Sequence, residues 1–333
     1  MNRKLTFLCL SVTLCTGFLP VSGADFNAGF YPSLGQRLGL RQSGAVVRAG
    51  SEIQFENLIS APVWRRAGGT VSSPVLLTQG FLPAKYQGPR NTCNVFAATA
   101  LAEYLMWQKT GALVPLSEEF LFFDAKYYFT DSPERRSYRN SQGLAGYIAV
   151  DALRGGIVRA ADWPYNPAWK AVKTVPPVSD PEVGVPPEGL KTKIMHPAFT
   201  PVAIRRGDIK NFLASEHRPV VMNMMLYSAT LDAASGHLGD PTPEVIAACA
   251  AGQIQCGGHV ILITGYDPSS GMYTFRNSWG ERWGRNGYGT FSEKYLMENC
   301  EACAYLPQIG GQPPASQKLM INAAYGWSAG IAR

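Results

Sequence analysis

The sequence predicts an α+β protein built in two lobes. Three observations carry that expectation. Helical patterns crowd residues 93–154, strand patterns recur between residues 218 and 276, and a Pro-rich stretch at 172–188 lies between the two groups. The chain of 333 residues, 46% apolar and 11% aromatic, is long enough to bury a sizeable core and too apolar to be disordered.

In chain order, residues 1–23 read as a secretory signal peptide. Arg3-Lys4 give a positive start, Leu5 to Leu19 an apolar stretch, and Val21-Ser22-Gly23-Ala24 small residues for cleavage. The apolar stretch is too short and interrupted for a membrane span, so no stable membrane insertion is expected once the signal is removed. The predicted location is exported, periplasmic or secreted. Residues 24–80 are mixed and Gly-rich, with Arg65-Arg66 and Gly68-Gly69 marking exposed loops. They form a prosegment or an N-terminal extension. The main domain is expected over 81–308, and residues 309–333, with little periodicity, form a C-terminal tail.

Residues 93–109 read as a helix that is apolar nearly all round and therefore buried. Its Ala content favours helix, Asn91 or Thr92 is placed to cap its start, and Gly111 follows its end. A second helix starts after Pro115-Leu116-Ser117, with Ser117 as its cap. A third spans Leu144–Arg154 and stops at Gly155-Gly156. The Pro-rich stretch reads as an extended surface loop or an insertion between lobes. Residues 218–224, 259–266 and 272–276 are strand-like, and Pro268-Ser269-Ser270-Gly271 turns the last two into a hairpin.

The chemistry lies in two distant segments: Tyr86-Gln87-Gly88-Pro89-Arg90-Asn91-Thr92-Cys93 and, much later, His259 followed by Asn277-Ser278-Trp279-Gly280. A Gln six residues before a helix-opening Cys, with His and then Asn-Ser-Trp-Gly downstream, resembles the papain-like cysteine proteases. Pro115-Leu116-Ser117-Glu118-Glu119, the stretch from Ala149 through Gly155-Gly156-Ile157 to Trp163-Pro164-Tyr165, and Trp279-Gly280-Glu281-Arg282-Trp283-Gly284-Arg285-Asn286-Gly287-Tyr288 extend the resemblance. It implies a papain-like two-lobe fold, with a buried central helix starting at the catalytic Cys in a helical first lobe and a β-barrel-like second lobe. It further implies that Cys93 is the nucleophile, His259 the base and then acid, Asn277 the residue orienting the imidazole, and Gln87 a donor to the oxyanion. Trp279 would shield the His259–Asn277 bond. Gly143 and Gly258 are candidates for the substrate cleft.

The reaction implied is peptide-bond hydrolysis through a thioester, on protein or peptide substrates, with the chain's own prosegment as a possible inhibitor. It needs no cofactor and no metal. Acyl or peptidyl transfer by the same apparatus is the alternative enzyme, and a non-catalytic peptide-binding relative the alternative of another class. The signature departs from the family's around the nucleophile: Arg90 stands where a cysteine usually forms a disulfide. His259 lies 166 residues after Cys93, beyond the usual ~130–150, which the Pro-rich insertion accounts for.

The formal net charge of +6 includes Arg3 and Lys4 of the leader, and no long Lys/Arg run exists, so nucleic acid is excluded as a partner class. Beyond Cys9 and Cys15 of the leader, five cysteines remain. Cys249, Cys256, Cys300 and Cys303 allow three disulfide pairings, with a four-thiolate zinc site as the alternative. An oxidising compartment favours disulfides and leaves Cys93 as the odd thiol.

Overall fold

A computed structural model describes residues 63–64, 69–129, 143–168 and 182–309, with the side chains of 301–309 excepted. The signal peptide, most of the prosegment, the greater part of the Pro-rich stretch and the tail lie outside the described residues.

The helical lobe is built on α1 (Cys93–Thr110), α2 (Glu118–Tyr127) and α3 (Gly146–Ala152). Every residue of α1 from Cys93 to Leu105 is buried, as its apolar circumference requires. Its C-terminus closes on Gly111, whose φ of 74° is the left-handed conformation a glycine reaches without a Cβ penalty. Thr92 is the N-cap by position, but its hydroxyl bonds the Tyr165 hydroxyl at 2.7 Å instead of the helix. Ser117 caps α2 as expected, accepting from Phe120 N at 3.0 Å while donating to the Trp163 carbonyl. The third helix is shorter than its sequence pattern, passing into a 3₁₀ turn at Leu153–Gly155 before Gly156.

The second lobe is a mixed nine-stranded sheet: β1 (Val75–Leu76), β2 (Phe199–Ala203), β3 (Val220–Tyr227), β4 (Leu231–Asp232), β5 (His237–Leu238), β6 (Cys256–Asp267), β7 (Met272–Arg276), β8 (Tyr288–Ser292) and β9 (Cys300–Ile309). The order is β2-β9-β3-β6-β7-β8-β5-β4, with β1 added to β6. Neighbours are antiparallel except β5 and β8. The barrel expected for this lobe is not formed. Among the described residues the sheet is open: one end is β2, which pairs with β9 and takes a single bridge from Val63, and the other is finished by the two-residue strands β4 and β5. Three short helices, α4 (Ile209–Glu216), α5 (Pro243–Ala250) and α6 (Glu293–Asn299), interrupt the strand-rich half.

The lobes meet where α1 and α3 pack on β3 and β6. The central strand β6 is buried from Gly257 to Tyr266, and α1 contributes Val95, Ala98 and Leu101 to the same core. Truncating a fully buried leucine such as Leu101 to alanine costs about 2–5 kcal/mol. Gly146 marks one close approach. Its N–H donates to Asn223 Oδ1 at 2.9 Å, and a Cβ there would lie 2.6 Å from that oxygen and 2.9 Å from Val260 Cγ1. Gly146→Ala should therefore destabilise the protein by roughly 1–3 kcal/mol, read as a lowered unfolding midpoint. An unchanged midpoint would mean that the contact relaxes freely.

Candidate active site

Cys93 is the first residue of α1 and is buried, so its thiol lies at the N–H end of the helix dipole, where a thiolate is favoured. Facing α1 across the lobe boundary is β6, which carries His259 opposite Met224 of β3. Asn277 follows the last residue of β7, and the hairpin brings it diagonally to His259: Nε2 lies 2.8 Å from Asn277 Oδ1 in a buried bond. The same oxygen accepts from Ser278 N at 2.8 Å. The Ser278 backbone N–H can only donate, and it fixes that atom as the amide oxygen, which can only accept. His259 therefore carries its proton on Nε2, and in the neutral ring Nδ1 has the basic lone pair. The half-buried Trp279 ring lies 4.9 Å from the imidazole at 35°, covering the bond from one side.

Gln87 is fully buried, and the partners of its side chain, Arg90 and Ser278, are buried as well. Its Oε1 accepts from Ser278 Oγ at 2.5 Å, its Nε2 donates to the Arg90 carbonyl at 2.7 Å, and its backbone N–H donates to the Ser278 carbonyl at 2.8 Å. The Arg90 carbonyl assigns the amide orientation: it can only accept, so the atom facing it is the Nε2 donor, and Oε1 is left to accept from Ser278 Oγ. Ser278 thus links Gln87 to Asn277 and His259 in one chain of hydrogen bonds. Its place inside Asn-Ser-Trp-Gly is the one sequence signal for this linking role, which no residue type alone announces. Gly143 adopts φ 74° three residues before α3, and Gly258 precedes His259 on β6 opposite Met225. Neither belongs to the chain of bonds joining Gln87 to His259.

Two to three turns along α1 from Cys93 lies a second polar cluster, in which buried carboxylates meet the partly exposed Lys85. Lys85 Nζ lies 2.7 Å from Glu103 Oε1 and 2.6 Å from Glu118 Oε1, Leu116 N donates to Glu103 at 2.8 Å, and Thr99 Oγ1 donates to Glu118 at 3.0 Å. A small cavity bounded by Lys85, Ala97, Glu103, Asn277 and Ser278 connects it to the back of the site. Burial opposes the charge on Lys85, but the two carboxylates outweigh it and raise its pKa. Burial pushes the Glu103 carboxyl up from 4.5 to about 7, against the attraction of Lys85 and with the repulsion of Glu118 added.

The folded protein therefore holds a proton there that the unfolded chain releases. The contribution of Glu103 to stability should fall as pH rises from 4.5 to about 7. Glu103→Gln should flatten that part of the pH dependence, measured as the difference in unfolding midpoint between variant and parent across the window. A difference that does not change with pH would rule out this titration.

Cys249 and Cys256 form a disulfide tying the end of α5 to the start of β6, and Cys300 is disulfide-bonded as well. Three of the four sulfurs a four-thiolate zinc site would need are therefore in S–S bonds, which speaks against that alternative. Of the three pairings, only the one containing 249–256 remains. Cys93 lies outside any disulfide among the described residues. Among these residues, too, no group of three or more His, Cys, Asp or Glu side chains is placed to hold a metal ion, and no helix is long and apolar enough to cross a membrane.

The arrangement is similar to proteins of one kind. The chain is 24% identical over 260 residues to Pro-cathepsin H of Mus musculus, covering 73% of this chain and 63% of that one. It is 26% identical over 286 residues to Cysteine protease 1 of Oryza sativa subsp. japonica (81% and 47%) and 27% identical over 229 residues to Ananain of Ananas comosus (68% and 53%). The chain thus spans roughly half to under two thirds of the length of these curated relatives. Among solved structures, xylellain, a cysteine protease from Xylella fastidiosa, superposes with a TM-score of 0.59 at 18% identity, covering 76% of this chain and 93% of that chain. Digestive procathepsin L 3 of Tenebrio molitor larval midgut superposes at 0.54 and 17% identity, covering 77% and 78%. These likenesses share the papain-like fold. The model of the papain family cysteine protease matches residues 78–306, more than half of the chain, and the chain belongs to that family.

Proposed function

We propose that the chain is an exported cysteine peptidase that hydrolyses peptide bonds in protein or peptide substrates through a thioester. The observation that carries this reading is the buried 2.8 Å His259–Asn277 bond, on a strand that packs against the helix opened by Cys93. In this mechanism His259 Nδ1 takes the thiol proton and the Cys93 sulfur attacks the substrate carbonyl carbon. The oxyanion receives the Gln87 amide N–H and the Cys93 backbone N–H. Collapse breaks the C–N bond, and His259 returns the proton to the leaving amine. Water, deprotonated by His259, then attacks the thioester and releases the acid and the thiol. Asn277 holds the imidazole in the required tautomer throughout.

In the same reading residues 1–23 direct export and are removed, residues 24–80 form a prosegment, residues 81–308 form the peptidase domain and residues 309–333 a tail. The names Pro-cathepsin H and procathepsin L 3 denote pro-forms of similar proteins, which supports a prosegment here. The test incubates the full chain, and a form beginning near residue 80, with a peptide library and sequences the products. Products with new carboxyl termini that disappear on alkylation of Cys93 support hydrolysis. Alkylatable protein that cleaves nothing in either form overturns it.

A further inference from the structure

The loop Gln87–Cys93 carries both the proposed nucleophile and the proposed oxyanion donor, and a single buried cation holds it. Arg90, whose side chain is 3% exposed, turns its guanidinium inward and uses four of its five N–H groups. Nη1 donates to Glu119 Oε2 at 2.6 Å and to the Asn166 carbonyl at 2.7 Å. Nη2 donates to Glu119 Oε1 at 2.8 Å and to the Glu182 carbonyl at 2.7 Å. The fork on Glu119 is bidentate, the geometry that only a guanidinium offers a carboxylate. The guanidinium carbon also lies 4.6 Å from the Tyr165 ring centroid.

Each anchor leads back to the loop. The Tyr165 hydroxyl donates to the Gln87 carbonyl at 2.7 Å, and because that carbonyl can only accept, the hydroxyl in turn accepts from Thr92 Oγ1. Glu182 accepts the Asn91 backbone N–H on its carboxylate at 3.0 Å, so the end of the Pro-rich stretch is tied to the residue two before Cys93. Most directly, the carbonyl of Arg90 itself accepts Gln87 Nε2 at 2.7 Å and Thr92 N at 2.9 Å. Where the guanidinium is pinned, that carbonyl is pinned, and the carbonyl sets where the Gln87 amide points.

We propose that Arg90 is the positioning residue of the oxyanion donor: its clamp on Glu119, Asn166, Glu182 and Tyr165 fixes the carbonyl that orients Gln87. The inference rests on the peptidase reading above and deepens it. A strut confined to folding would hold the chain together without setting the Gln87 amide. A positioning residue changes turnover, and changes it only through Gln87.

The test is a double-mutant cycle. Arg90→Met alone would strand the Glu119 carboxylate, so the clamp is removed as Arg90→Met/Glu119→Leu, which replaces a buried ion pair by apolar side chains of similar volume. With a cooperative unfolding transition retained, kcat should fall by up to about 10²-fold, the scale of a misplaced reacting group. KM should change little, and alkylation of Cys93 by a small neutral reagent should persist. In a Gln87→Ala background, where kcat is already down by roughly 10²–10³, the same pair should cost little more.

Arg90→Lys, which keeps the charge but loses the fork, gives a second reading that does not depend on the pair's folding, with an intermediate loss of kcat expected. Full multiplication of the two losses, or unchanged kcat in either folded clamp variant, overturns the inference while leaving the peptidase reading intact. If Gln87→Ala alone leaves kcat unchanged, the oxyanion assignment itself has failed and the inference falls with it.

Discussion

Cys93→Ala is expected to abolish hydrolysis while leaving a cooperatively folded protein. The sulfur is the only atom the substitution removes, alanine is the best helix former, and the site opens a helix whose next twelve residues are buried regardless. The stability cost should be small, on the order of 1 kcal/mol. The catalytic cost is of another size, on the order of 10⁶ in kcat for removal of a covalent nucleophile. Progress curves on a cleavable peptide and a thermal melt of the same preparation separate the two effects. A folded Cys93→Ala protein that retains substantial turnover would exclude the thioester route and redirect attention to a water-attack mechanism with His259 as sole base.

The helical lobe was legible in the sequence because its signals are local. A continuous apolar run gave α1, and Ser117 and Gly111 marked boundaries that the structure keeps. The long strands β3, β6 and β7 were legible for the same reason, as β-rich runs bounded by turns. The strands that complete the sheet were not. β9 begins directly after α6, at Cys300, and pairs with β2 and β3, whose paired residues lie roughly 75–110 positions earlier. No local periodicity announces such a partner. The expected barrel failed on the same point, since closure depends on how the end strands pair and not on any one strand's pattern.

At the site, residue types at fixed offsets were enough to nominate Cys93, His259, Asn277 and Gln87. What held them was not visible. Arg90 read only as a departure from a motif, and its four acceptors come from three segments distant in sequence. Lys85 likewise finds Glu103 and Glu118 only through the packing of α1 on α2. Buried charges need partners from wherever the fold can supply them, so their pairing is a property of the assembled core.

His259→Ala should reduce turnover nearly as far as loss of Cys93, by roughly 10⁴–10⁶-fold, because one ring serves as base to the thiol, acid to the leaving amine and base to the attacking water. The variant also offers a reading that Cys93→Ala cannot, since its thiol is still present. With the imidazole gone, only the N-terminus of α1 remains to stabilise a thiolate, and Cys93 should behave more like an isolated cysteine, whose pKa is about 8.5. Its alkylation by iodoacetamide at about pH 6 should slow by 10-fold or more, as a smaller thiolate fraction requires, and should recover as pH rises.

The companion variant Asn277→Ala removes the acceptor at 2.8 Å but leaves the ring. It should keep most of the acidic-pH alkylation while lowering kcat through a misoriented imidazole. That split separates having the base from aiming it, and a general collapse of the fold would lower both readings together. If His259→Ala alkylates at acidic pH as fast as the parent, the imidazole does not activate Cys93, and the pairing proposed for this site is wrong.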